Sequence, residues 1–114
     1  MPYLMIQTNQ TIDAAGGKSL LTKASKLVAS ELGKPESYVM VALEDKTPML
    51  FAGDEAPLAY LELKSIGLPE NKTTTLSAAL CGLMEETIGV SKDRVYIEFA
   101  DAPRSMWGWN GSTF

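Results

Sequence analysis

Shifted by 56 residues, the chain lies upon itself: Gly33 falls on Gly89, Val39 on Val95, Val41 on Ile97, Leu43 on Phe99, Asp45 on Asp101 and Pro2 on Leu58. Each half reads as strand, helix, strand. The predicted elements are Tyr3 to Thr8, Lys18 to Leu32 and Tyr38 to Glu44, then Leu58 to Ser65, Glu70 to Ile88 and Arg94 to Ala100. Leu76, Leu80, Leu83, Met84 and Ile88 share one face of the second helix, and Gly33 and Gly89 stand where left-handed C-caps belong. The correspondence reads either as an internal duplication or as two βαβ units of similar length. Both give one architecture, because a strand-helix-strand crossover is right-handed and makes its strands parallel. The expected fold class is α+β: a single domain over 1–114 in which two pseudo-symmetric βαβ units form a four-stranded mixed sheet with two helices on one face.

Alternation assigns the two faces. Val39, Val41 and Leu43, with Val95, Ile97 and Phe99, form a face suited to lie under the helices. The other face carries Tyr38, Met40 and Ala42, Tyr96 and Glu98, and Leu58, Tyr60, Glu62 and Lys64. That mixture is too apolar for water and too polar for an ordinary core. With both sheet edges also open, the pattern predicts self-association.

Composition narrows the chemistry. The chain has 46% hydrophobic and 21% charged residues, close to the globular average, so it is expected to fold. A net charge of -4 with scattered basic residues argues against nucleic acid and anionic membranes as partners. Apolar runs such as Tyr38 to Leu43 are too short to span a bilayer, and no signal peptide is visible, so a cytoplasmic location is expected. The sequons beginning at Asn9, Asn71 and Asn110 are then chance matches. Cys81 is the only cysteine, which rules out an intrachain disulfide, and histidine is absent. A base acting near neutral pH must therefore be a carboxylate, a lysine, a tyrosine or the chain's own amino terminus.

The opening MPYLMIQTN bears on that choice. Methionine aminopeptidases remove Met1 before a small residue, and Pro2 would then carry a secondary amine. Such a group titrates at about 7.7 to 8.0 in water. Desolvation and nearby cations lower that value, which leaves a neutral base. The pyrrolidine ring fixes the direction of its lone pair once the following strand is anchored. On this stretch alone, a processed terminus without catalytic purpose is the favoured reading.

Further segments carry a resemblance. GKPESY (Gly33 to Tyr38), KSIG (Lys64 to Gly67), DRVYIEF (Asp93 to Phe99) and the closing GWNGSTF (Gly108 to Phe114), with Thr8 and Asn9, stand in the order found in macrophage migration inhibitory factors. The chain resembles that branch of the tautomerase superfamily over essentially its whole length. The resemblance implies a homotrimer with the sheets curled around a central channel, and a keto-enol tautomerase acting on phenylpyruvate-like arylpyruvates without metal or organic cofactor. It assigns Pro2 as general base and Lys34 as the cation for the substrate carboxylate. The Ile66 backbone amide is assigned to substrate oxygen, Tyr38 and Tyr96 to aromatic walls (Tyr96 from a neighbouring subunit), and Trp109 and Phe114 to a hydrophobic rim. Read from the residues alone, Lys34 is a helix-end lysine and both tyrosines are strand residues.

There are departures from the family pattern. Leu58 and Leu61 stand where a CxxC occurs in animal members, which excludes thiol-disulfide activity by that route. Lys64 replaces a histidine, Glu98 an asparagine and Trp107 a valine, all near the implied pocket. Tyr3 and Trp107 are expected to narrow it, so bicyclic substrates such as dopachrome should turn over more weakly. The alternative implied by the resemblance is a cytokine-like trimeric binding protein with a vestigial pocket, whose receptor surface a sequence does not reveal.

Overall fold

Asp13 opens the first helix: its Oδ1 accepts the Gly16 N–H at 2.7 Å and caps α1, Ala14–Leu32. The expected start at Lys18 lies four residues too late, because the first turn holds the weak helix formers Gly16 and Gly17. Gly16 serves the cap itself, since a Cβ there would stand 3.0 Å from the capping oxygen. Leu20, Ala24 and Val28 form the fully buried stripe of α1. The computed structural model describes residues 1–114 and adds β1 (Tyr3–Thr8), β2 (Met40–Glu44), β3 (Ala59–Ile66), α2 (Thr73–Ile88) and β4 (Val95–Ala102). A hairpin of β5 (Gly108–Trp109) and β6 (Ser112–Thr113) ends the chain.

The four long strands form one mixed sheet in the order β2-β1-β3-β4. β1 runs parallel to β2 and β3 parallel to β4, while β1 and β3 meet antiparallel at the centre. The register gives the two faces. Val41, Leu4, Leu63 and Phe99 form one cross-strand row and Leu43, Ile6, Leu61 and Ile97 the next. Leu4, Ile6, Leu61 and Leu63 are fully buried and join Leu76, Leu80 and Met84 of α2 in the core. Full burial of each such leucine contributes about 2 kcal/mol.

The opposite rows are Met40, Tyr3, Lys64 and Ala100; Ala42, Met5, Glu62 and Glu98; and Glu44, Gln7, Tyr60 and Tyr96. Met40 and Tyr96 are 65% and 66% exposed, which marks this as the uncovered face. Two of the sequence expectations are corrected here. Leu58 precedes β3 and is buried, packed under the segment at Met49 to Ala52. Tyr38 lies in a 3-10 turn, Glu36–Tyr38, so β2 starts two residues later than expected.

The repeat extends below the level of elements. Asp45 accepts the Ile12 N–H at 3.0 Å, and Asp101, which is Asp45 shifted by 56, accepts the Leu68 N–H, which is Ile12 so shifted, at 3.0 Å. The 3-10 turns Glu36–Tyr38 and Lys92–Arg94 differ by the same interval. Gly33 and Gly89 close the two helices in the left-handed region, with φ of 62° and 67°.

Candidate active site

Pro2 is buried at the head of β1, where its carbonyl accepts the Met40 N–H at 2.9 Å. That bond joins the chain start to the edge strand β2. One residue earlier, the Met1 ammonium donates to the Tyr38 carbonyl at 2.7 Å. Burial, followed by the positive charge of Lys34, holds this ammonium below its ordinary value of 8.0. With Met1 attached, the Pro2 nitrogen lies in a tertiary amide.

Around this point opens a cleft of about 230 Å³, lined by Met1, Pro2, Tyr3, Tyr38, Met40, Trp107, Trp109 and Phe114 among others. Aromatic rings build its wall. Trp109 and Phe114 stack with centroids 5.5 Å apart and planes 12° from parallel. Tyr38 meets each of them edge-on, at 5.9 and 6.1 Å. The terminal hairpin makes this possible: the Phe114 N–H donates to the Trp107 carbonyl at 3.2 Å and folds the last ring back onto Trp109. The hairpin is absent from the sequence reading, although an Asn-Gly pair, Asn110 and Gly111, is its usual signal.

Of the residues singled out in the sequence, Pro2, Tyr38, Trp107, Trp109 and Phe114 meet in this cleft, and Lys34 acts on it through its charge. Ile66 ends β3, buried, opposite Ala102. Lys64 stands across from Tyr3, with its Nζ 3.3 Å from Glu62. Glu98 and Glu62 lie on the uncovered face, where the Tyr60 hydroxyl stands 2.9 and 3.1 Å from their carboxylates. The hydrogen bond to Glu98, with desolvation and Glu62, pushes the Tyr60 phenol up to about 12.

Tyr96 is apart from the cleft. It pairs with Tyr60, four residues along β3 from Lys64, which faces Tyr3. At about 3.3 Å per residue and 4.8 Å per strand, Tyr96 lies roughly 20 Å from Pro2 in the same chain.

Tyr96 lines a second pocket, of about 240 Å³, with Met49, Leu50, Phe51, Ala52, Leu58, Ala59 and Tyr60. The 56-residue shift relates the two hollows: Pro2 maps on Leu58, Tyr3 on Ala59, Met40 on Tyr96, and Trp107 on Phe51. The tail that follows β4 closes the cleft at the head of β1, and the segment that follows β2 closes the pocket at the head of β3. Arg94 pins that segment, donating to the carbonyls of Phe51, Asp54, Ala56 and Pro57 at 3.0 to 3.3 Å. Its guanidinium also sits 5.2 Å from the centre of the Phe51 ring.

Comparison with known proteins agrees with this geometry. The family model described as macrophage migration inhibitory factor (MIF) matches residues 1–114. A macrophage migration inhibitory factor homolog of Brugia malayi is 42% identical, over 100% of this chain and 99% of the relative. The crystal structure of the homologue from Prochlorococcus marinus superposes with a TM-score of 0.93 at 44% identity, covering 98% of each chain. The factor from Toxoplasma gondii does so with a TM-score of 0.92 at 36% identity, covering 98% of this chain and 99% of that one. The chain belongs to the macrophage migration inhibitory factor family, whose members are tautomerases.

Proposed function

We propose that this protein is a keto-enol tautomerase acting on phenylpyruvate-like arylpyruvates, with Pro2 as general base once Met1 is removed. The observation that carries the reading is the position of Pro2: buried at the head of β1, in an aromatic cleft, beside a chain terminus whose ammonium burial and Lys34 already destabilise. Removal of Met1 converts the Pro2 amide into a secondary amine in the same surroundings. The same two influences lower its proton affinity and leave it neutral near physiological pH.

The neutral nitrogen takes a proton from the carbon beside the keto group, and the electron pair of that C–H bond moves to form the enolate. Delivery of that proton to the oxygen gives the enol and completes the 1,3-shift, and the reverse sequence, protonation at carbon, gives the keto form. Lys34 pairs with the substrate carboxylate and stabilises the negative charge that develops on oxygen. The aryl ring packs in the cleft against the wall that Tyr38, Trp109 and Phe114 build, while Tyr3 and Trp107 limit the width.

Tyr96 reaches a Pro2 cleft only from a second copy, because roughly 20 Å separates the two within one chain. We place it in the neighbouring subunit of a homotrimer formed over the uncovered face. The carboxylate of Glu98 and the ammonium of Lys64 then adjust the electrostatics at that boundary in opposite senses.

The test follows the ultraviolet change as phenylpyruvate enol converts to the keto form, with mass spectrometry establishing the mature amino terminus. Pro2→Gly is expected to lower kcat by about a hundredfold or more, the usual worth of a positioned base. Equal rates for the two proteins would overturn the assignment and favour the binding-protein reading, as would full activity in a chain that retains Met1.

A further inference from the structure

The turn of the terminal hairpin carries the one Asn-Gly step in the chain. Asn110 and Gly111 join β5 to β6 with φ of 53° and 76°, the paired positive values of a type I′ turn. Both residues are exposed, and a Cβ built on Gly111 would meet nothing within 4 Å. Trp109 and Ser112 close the turn by pairing with each other, while the Gly111 N–H donates to no backbone carbonyl. The nitrogen after the Asn110 carboxamide is thus both unhindered and uncommitted.

The other asparagines differ. Asn9 is followed by Gln10, and its carboxamide is fixed on both sides: Nδ2 donates to the Glu55 carbonyl at 2.9 Å, and Oδ1 accepts the Leu58 N–H at 3.1 Å. Asn71 is followed by Lys72 inside a 3-10 turn, where the next peptide nitrogen is committed, donating to the Pro69 carbonyl at 3.1 Å.

We propose that Asn110 is a site of spontaneous deamidation, and that the change loosens the aromatic wall of the cleft. The Gly111 nitrogen loses its proton to water or hydroxide and attacks the Asn110 side-chain carbonyl carbon. The C–N bond of the carboxamide breaks and ammonia leaves, forming a five-membered succinimide. Water then opens the ring at either carbonyl to give aspartate or isoaspartate. No oxidant, reductant or enzyme is required, and asparagine is a recognised labile residue.

Isoaspartate inserts an additional carbon into the backbone of a two-residue turn between two-residue strands. Beyond Trp109 and Ser112, such a short hairpin has only the Gly108–Thr113 pair to absorb the change. Its strands hold Trp107, Trp109 and Phe114 in place, so the stack at 5.5 Å is the contact to loosen.

The test incubates the full chain and its Asn110→Gly variant in mildly alkaline buffer at physiological temperature. Gly-Gly keeps the positive φ values and removes the carboxamide. Peptide mapping of the parent should show a gain of about one dalton at residue 110 and none at Asn9 or Asn71. The rate should lie within about tenfold of that of a free peptide of residues 106–114, as expected of an unprotected surface segment. Near-ultraviolet circular dichroism from the aromatic cluster should fall in proportion, while the variant changes in neither readout. Earlier reaction at Asn9 or Asn71, or protection at Asn110 far beyond tenfold, would overturn the site. An unchanged aromatic signal in the modified protein would overturn the structural consequence. Neither measurement depends on catalytic activity.

Discussion

Lys34 acts on the amino terminus through charge, so its removal should do two things at once. Lys34→Ala should weaken binding of the substrate carboxylate. It should also raise the amine's proton affinity, moving the acid limb of the kcat/KM profile toward higher pH. A pH-rate series on both proteins checks this; a lower rate with an unmoved limb would leave Lys34 as a binding group only. Tyr60 gives a prediction at the alkaline end. Its folded pKa of about 12 exceeds the ordinary 10.0, so the folded protein keeps a proton that the unfolded chain releases. The stabilising contribution is complete below pH 10 and is lost as pH rises toward 12. Between those values the Tm of Tyr60→Phe should fall less steeply than that of the parent protein. Arg94 is a structural residue by contrast, since its four carbonyl partners need a planar fork of donors. Arg94→Lys should cost about 2 kcal/mol in urea unfolding despite the retained charge.

The two helices end on equivalent glycines, and a substitution should therefore cost the same at either. Neither Gly33 nor Gly89 has a neighbour that an added Cβ would touch, so backbone strain is the only penalty. Gly33→Ala and Gly89→Ala are each expected to lose about 1 kcal/mol, read by urea unfolding. These glycines were legible in the sequence because a helix stop has a local cause. The strands were legible for the same reason, as period-two alternation follows from the pleat, and their ends shifted by only one or two residues. Helix starts were harder to read. Asp13 caps through a side-chain oxygen that the Gly16-Gly17 pair obscures, and the residues from Glu70 to Lys72 form a 3-10 turn before α2 begins. The cleft was legible only in part. Pro2 followed from the opening residues and the missing histidine, and Tyr38, Trp109 and Phe114 from a resemblance of motifs; the hairpin has a local signal in Asn110 and Gly111, but its docking onto Tyr38 joins residues far apart in the chain and has none. The bonds from Asp45 to Ile12 and from Asp101 to Leu68 span 33 residues and leave no local trace.

Assembly belongs to the whole molecule. Exposed Met40 and Tyr96 and the open edges β2 and β4 are the surfaces over which the proposed trimer would form. Light scattering should report three times the 12.3 kDa chain mass. A mixing experiment examines whether sites are shared: Pro2→Gly and Tyr96→Ala chains, unfolded and refolded together, should regain activity that neither regains alone. No gain on mixing would place each site within one chain. The exchange of tails between the two halves has a consequence of its own. Because the segment after β2 seals the second half and the segment after β4 seals the first, a peptide covering either half separately would leave its own hollow unroofed. A protease nick at the exposed stretch near Gly53 should therefore yield two fragments that remain clasped, each serving as the lid of the other.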